Sequence, residues 1–208
     1  MKLYISSYKL GNRVDMLKKW IKDYDNKIMM IPNSRDGYPD GERKSRGIMN
    51  DMIALQELGF DVTLLSLSDY FSNPEKLRED LKSVKAFFAI GGNTFILRQA
   101  MKLSGFDEYL KEISHLASYL YGGYSAGICL LAPSLKGLEL VDDPTVDPYN
   151  HPVIYNGLGL LEYLPVPHYR SDHPESEAIE DVVSYLNTNR IKYKTLQDGD
   201  VIIEELHE

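Results

Sequence analysis

The sequence predicts a three-layer α/β domain: a mainly parallel sheet with helices on both faces. Three observations lead there. Short apolar runs, such as residues 27–32 and 85–90, alternate with segments whose apolar residues recur at helical spacing. Those runs are continuous rather than alternating, as strands are when both of their faces are covered. The chain has 208 residues, 43% of them hydrophobic, which suffices for one substantial core and is short for two. One domain is therefore expected over residues 1–208.

Taken in order, residues 3–6 predict a first strand, and 14–24 a helix with Leu17, Trp20 and Ile21 on one face. Residues 27–32 follow as a second strand. A long helix over 40–58 is apolar at Ile48, Met52, Ile53 and Leu55, with Gly59 placed to end it. Residues 60–67 form a third strand, 74–84 a charged surface helix, and 85–90 a fourth strand that runs directly into Gly91-Gly92-Asn93. Helices over 94–103 and 106–116 come next, then the stretch 118–122 leading into Gly123-Tyr124-Ser125-Ala126-Gly127. The second half is less regular. Residues 137–141 predict a strand, and 142–157, with three prolines, a long loop of the kind that is often functional. A strand over 163–169, a helix over 174–186 and strands over 193–206 around the turn Asp198-Gly199-Asp200 complete the chain.

Charge and composition exclude several function classes. A formal net charge of −8 offers no basic surface for nucleic-acid phosphates or for an acidic membrane, so small molecules or peptides are the expected partners. With one cysteine and five scattered histidines there is no intramolecular disulfide and no zinc-like ligand spacing. Neither metal nor cofactor is expected. No apolar stretch approaches the length of a membrane span, and residues 1–8 lack the apolar run of a signal peptide, so a cytoplasmic protein is the default.

The chemistry concentrates in three places. Gly123-Tyr124-Ser125-Ala126-Gly127 is a G-x-S-x-G sequence between an apolar strand and an apolar helix, the context of a nucleophile elbow. The turn is so sharp that only small residues fit two positions either side of the serine. Ser125 would then stand exposed at a helix start, where free N–H groups favour developing negative charge. A glycine-rich turn with a capping serine is the bland alternative. Gly91-Gly92-Asn93, at a strand end, suits an oxyanion hole shared with the N–H of Ala126, although a plain turn with Asn93 or Thr94 capping the next helix is the more frequent reason for such a sequence. The third element is the base that a serine hydroxyl needs. His168, at the carboxyl end of a predicted strand, leads narrowly over His173 and His151; His115, on a helix face, and His207, in the tail, read as inert.

Ile90-Gly91-Gly92-Asn93-Thr94-Phe95, Gly123-Tyr124-Ser125-Ala126-Gly127 and Pro167-His168-Tyr169, in this order and spacing, resemble the aspartyl dipeptidase (dipeptidase E) and cyanophycinase family of serine peptidases. The likeness covers most of the chain. It implies a fold like that of class I glutamine amidotransferases, whose elbow carries cysteine where this chain has Ser125. It further implies Ser125 as nucleophile, His168 as base, and the N–H groups of Gly92 and Ala126 as the oxyanion hole. For the acid that orients the histidine, the resemblance offers Asp198, before Gly199, and as the alternative Asp142, in an Asp-containing loop; Asp198 is preferred over its reading as a hairpin turn residue. Gly91, Asn93, Tyr124, Arg170 and Glu175 are the expected substrate contacts. Glu177 stands where family members specific for N-terminal aspartate resemble one another in an arginine, which argues against an aspartyl substrate; Arg170 or Arg35 could supply a cation from elsewhere. The implied activity is cleavage of small peptides through an acyl-enzyme. The alternatives are a non-peptide amidase or esterase on the same scaffold and a catalytically silent peptide-binding relative.

Overall fold

The run Ala86-Phe87-Phe88-Ala89 is buried at every position because successive side chains point into two different cores. A computed structural model describes residues 1–206, and this strand, β4 (Ala86–Ala89), lies in the middle of its main sheet. Phe87 and Ala89 face one core, Ala86 and Phe88 the other. The same division runs along β1 (Lys2–Ser6), where Leu3 and Ile5 oppose Tyr4, and along β2 (Lys27–Ile31), where Ile31 opposes Ile28 and Met30. Each large side chain so buried contributes about 1.5–3 kcal/mol.

One core is roofed by α1 (Val14–Trp20) and α2 (Glu42–Glu57) through Leu17, Trp20 and Leu55. The other is covered by α3 (Pro74–Asp80), α4 (Thr94–Ser104), α5 (Phe106–Ile113), the one-turn α6 (Ala126–Cys129) and α7 (Ser176–Thr188), through Leu77, Leu97, Leu110, Ile128 and Val182. These are the predicted three layers. With β3 (Asp61–Leu64), β5 (Leu120–Tyr124) and β8 (Val201–Glu205), the six-stranded sheet has the order β3-β2-β4-β5-β1-β8; only β8 runs antiparallel.

Register brings the motifs together. Ser6 lies opposite Tyr124 and Ala89 opposite Gly123, so the residues that follow β1, β4 and β5 emerge side by side at one edge. Ligands gather at this carboxyl edge in α/β sheets. Because β8 is antiparallel and its Val201 pairs with Ser6, the turn before β8 reaches the same edge.

Two expectations are corrected in the second half. Residues 137–141 form a 3-10 turn over Leu138–Leu140 rather than a strand; Gly137, at φ 100°, packs against the ring of Tyr185, which a Cβ would meet at 2.8 Å. The strands around Asp198-Gly199 form no hairpin either. β7 (Tyr193–Thr195) leaves the main sheet and pairs in parallel with β6 (Leu164–Val166), while β8 pairs with β1. The loop over 142–157 is as predicted and is tied down by Arg98, which donates to the carbonyl of Asn156 and is itself buried against Asp107 at 3.0 Å. His115 lies past the end of α5 rather than on its face, and His207 lies outside the described residues. No helix among the described residues is long and apolar enough to cross a membrane.

Candidate active site

The elbow shows why its sequence has glycines at both flanks. A Cβ on Gly123 would sit 2.7 Å from the carbonyl oxygen of Ala89, and one on Gly127 only 2.2 Å from that same oxygen. Strand β4 and the elbow approach too closely for any side chain. Between them Ser125 adopts φ 51°, ψ −121°, a conformation that costs a non-glycine residue about 1–3 kcal/mol and persists only where the surroundings impose it. Its carbonyl accepts the N–H groups of Ile128 and Cys129, and the Tyr121 hydroxyl donates to Gly127. The hydroxyl of Ser125 makes no hydrogen bond to any described residue. Because α6 is only one turn long, individual N–H groups matter here more than a helix macrodipole.

Ser125 opens into a cleft of about 780 Å³ whose walls include Tyr8, Lys9, Gly91, Gly92, His168 and Glu175. The N–H of Gly92 and the N–H of Ala126 have no hydrogen-bond partner among the described residues. Gly91 leaves room for the elbow, since a Cβ there would lie 2.6 Å from the Tyr124 ring and 3.1 Å from the Ser125 Cβ.

His168 and Asp198 are brought together by parallel pairing. Val166 of β6 lies opposite Thr195 of β7, and both chains leave their strands in the same direction, His168 two residues on and Asp198 three. His168 Nδ1 lies 2.7 Å from Asp198 Oδ1, which directs Nε2 away from the carboxylate. The histidine is 1% exposed, with φ 60°. Its ring stacks on His173, with centroids 3.7 Å apart, and meets the Tyr8 ring edgewise. Burial lowers the His168 pKa, opposed by its hydrogen bond to Asp198 and assisted by nearby His173. The Glu175 carboxylate lies 3.9 Å from Nε2. Burial, then the charges of Asp142 and Asp198, push Glu175 up to about 7.

His168, His173 and Asp198 are also the group of potential metal ligands among the described residues, with donor atoms within 4.8 Å of one another. The two rings are parallel to within 7°, so their in-plane lone pairs lie in separate planes and do not converge on one ion. The arrangement suits a stacked pair better than a metal centre.

Tyr124 lines the cleft, but its hydroxyl belongs to a buried network: it donates to Asp51 at 2.8 Å and receives Arg35, while Asp51 also binds Lys9 at 2.7 Å. Asn93 stands outside the cleft lining. Its side-chain oxygen accepts the N–H groups of Phe95 and Ile96 and its amide donates to the carbonyl of Asp143, the capping alternative. Asp142 likewise accepts the N–H of Thr94 at the start of α4; burial pushes it up to about 6, opposed by those Thr94 hydrogen bonds. It makes no hydrogen bond to His168. Arg170 points to the surface, pairs with Glu180 at 3.0 Å and lies over its neighbour Tyr169. Glu177, in the first turn of α7, is exposed and lines no part of the cleft; Glu175 faces it instead. Sequence reasoning passed over Tyr8 and Lys9, which line the cleft, and Ser7 and Asp51, which are buried behind it and bonded to its residues. The one local signal was the polar pair Ser6-Ser7 closing an otherwise apolar central strand.

The family model of peptidase family S51 matches residues 12–205, and the chain belongs to that family. It is 30% identical over 119 residues to the uncharacterized peptidase Lin0382 of Listeria innocua, covering 57% of this chain and 54% of that protein. To the uncharacterized peptidase Lmo0363 of Listeria monocytogenes it is 30% identical over 134 residues, 63% of this chain and 61% of the relative. These matches thus span a little over half the length of the curated relatives. Among solved structures, a candidate peptidase E protein from Listeria monocytogenes superposes with a TM-score of 0.73 at 23% identity, over 99% of this chain and 98% of the other. A peptidase from an acI-B1 actinobacterium gives 0.70 at 16% identity, over 98% and 83%. Both have this α/β fold.

Proposed function

We propose that the protein is a serine peptidase that cleaves short peptides through an acyl-enzyme on Ser125. The observation that carries this reading is one cleft holding both the elbow serine and a buried histidine whose Nδ1 is held by Asp198. In the first step the Ser125 Oγ proton passes to His168 Nε2 as Oγ bonds to the peptide carbonyl carbon. The oxyanion accepts hydrogen bonds from the N–H groups of Gly92 and Ala126. His168 then gives its proton to the leaving amine as the C–N bond breaks, and a water, activated by His168, releases the acyl group. Asp198 is the triad acid, since it holds the imidazole tautomer that leaves Nε2 free. Asp142 is assigned a capping role. Catalytic hydrogen bonds are often long before substrate arrives, so Ser125 is expected to turn towards Nε2 on binding.

Short peptides are favoured by the charges on the walls. Lys9, its side chain 40% exposed, and Glu175, 42% exposed, both face the cleft. Together they offer partners for the two ends of a zwitterionic dipeptide. The test is labelling by a fluorophosphonate probe, followed by a library of dipeptides with free and blocked ends, p-nitrophenyl esters and isoaspartyl peptides. Covalent labelling that survives Ser125→Ala would remove Ser125 from the mechanism. Cleavage of esters but of no peptide would favour the esterase alternative.

A further inference from the structure

Ser7 is a fully buried hydroxyl with no part in the steps above, although it joins three distant segments of the chain at the site. It follows β1 directly. Its Oγ accepts the backbone N–H of His168 at 2.9 Å, and its proton has two acceptors, Asp198 Oδ1 at 3.1 Å and the carbonyl of Leu196 at 3.3 Å. Oδ1 is the same oxygen that meets His168 Nδ1. The backbone of Ser7 fixes the acid's turn as well, donating to the carbonyl of Asp200 at 3.0 Å.

We propose that Ser7 is a positioning residue that closes a hydrogen-bonded ring through the His168 backbone, Asp198 Oδ1 and the imidazole, and so sets the angle at which Asp198 grips His168. The physical need is clear. His168 sits at φ 60°, a conformation uncommon for any residue that carries a side chain. Asp198 lies in a turn that ends no regular hairpin, and neither segment belongs to the main sheet. Ser7 does belong to the rigid edge of that sheet, beside the elbow, because Ser6 is in register with Tyr124. It thus references the base to the same strand end as the nucleophile. A residue that orients a ligating or catalytic group from behind commonly matters almost as much as the group itself.

The inference rests on the proposed roles of His168 and Asp198, and the experiment separates the two. The rate of fluorophosphonate labelling would be measured in the wild type, Ser7→Ala, Asp198→Asn and the double variant. Losing a hydrogen bond to a charged group predicts about a 10–100-fold fall for Ser7→Ala. In the Asp198→Asn background the same change should alter the rate by less than about twofold, because Ser7 acts through Asp198. Equal falls in both backgrounds, or wild-type labelling of a folded Ser7→Ala protein, would overturn the proposal. The low-field proton resonance of His168 Nδ1, identified by its loss in Asp198→Asn, should shift or broaden in Ser7→Ala; a resonance that does not move also overturns it. Should the alanine variant not fold, Ser7→Cys keeps the size, weakens the hydrogen bonds and takes its place in the cycle. A wild type that never labels speaks against Ser125 as nucleophile, and Ser7 is then judged by the Nδ1 resonance alone.

Discussion

The two halves of the candidate site are held by different physics. Ser125 is held by backbone sterics: β4 and the elbow approach so closely that Gly123 and Gly127 are forced, and the serine takes its strained conformation from that contact. His168 and Asp198 are held by side-chain hydrogen bonds among segments that meet only in the folded chain: the end of β1, the turn after β6 and the turn before β8. The first arrangement is written in five consecutive residues packed on Ala89, and its two glycine positions tolerate no side chain. The second is distributed, and each of its members can be removed without a collision. A defect in the elbow should therefore show as lost stability or a dead nucleophile, and one in the histidine side as a graded loss of rate.

The largest effect expected is that of Ser125→Ala, which should abolish covalent labelling and peptide cleavage while leaving the melting temperature close to wild type. Removing the tautomer holder, Asp198→Asn, should lower kcat by about 10³–10⁴-fold in a folded protein. A loss under tenfold would move the acid's role elsewhere, with Asp142→Asn the next variant to assay. Gly127→Ala probes the other half. Its Cβ would collide with a backbone oxygen that cannot swing away, so a loss of about 3 kcal/mol or more in denaturant unfolding is expected.

A smaller effect is expected in the pH profile. Burial lowers the His168 pKa, so the imidazole stays neutral below the usual histidine range, and under the proposed mechanism the acid limb of kcat/KM should fall below pH ~6.5. Glu175 shifts the opposite way. Its carboxyl is raised to about 7, so the folded state binds more protons than the unfolded chain between the ordinary glutamate value and 7. Its contribution to stability is present at low pH and is lost as pH rises through 7. Glu175→Gln should accordingly raise the melting temperature at pH 8 more than at pH 5, and an equal change at both would argue against this titration. The smallest effect belongs to Arg170→Ala, expected to leave kcat/KM within twofold, because that side chain pairs with Glu180 on the surface.

Much of the fold was legible because continuous apolar runs and helical periodicity are local consequences of burial on two faces. The strands β2, β3 and β4 lie within their predicted stretches, β1 starts one residue before its own, and β5 runs two residues past 118–122 into the elbow sequence. Where apolar pattern thinned, legibility fell: the Gly137–Val141 stretch looks extended in sequence, yet its φ 100° glycine turns it against Tyr185. Motif residues fared unevenly for the same reason. Gly92, Ser125 and His168 share the cleft, whereas Asn93 answers to the unsatisfied N–H groups of its own helix and Arg170 to a neighbouring glutamate.

By itself the sequence determined the layered α/β fold, the elbow and the identity of its serine, since the layers follow from periodic burial and the elbow is marked by five consecutive residues. Tertiary structure alone decided that β7 pairs with β6 instead of β8, that Lys9 faces the cleft, and that buried Ser7 reaches both His168 and Asp198; it also set the preferred Asp198, and not Asp142, against the imidazole. Those outcomes depend on pairing between strands and turns far apart in the chain, and on which buried polar group finds which partner. Such choices are settled by the whole packing arrangement and leave little mark on the local order of residues.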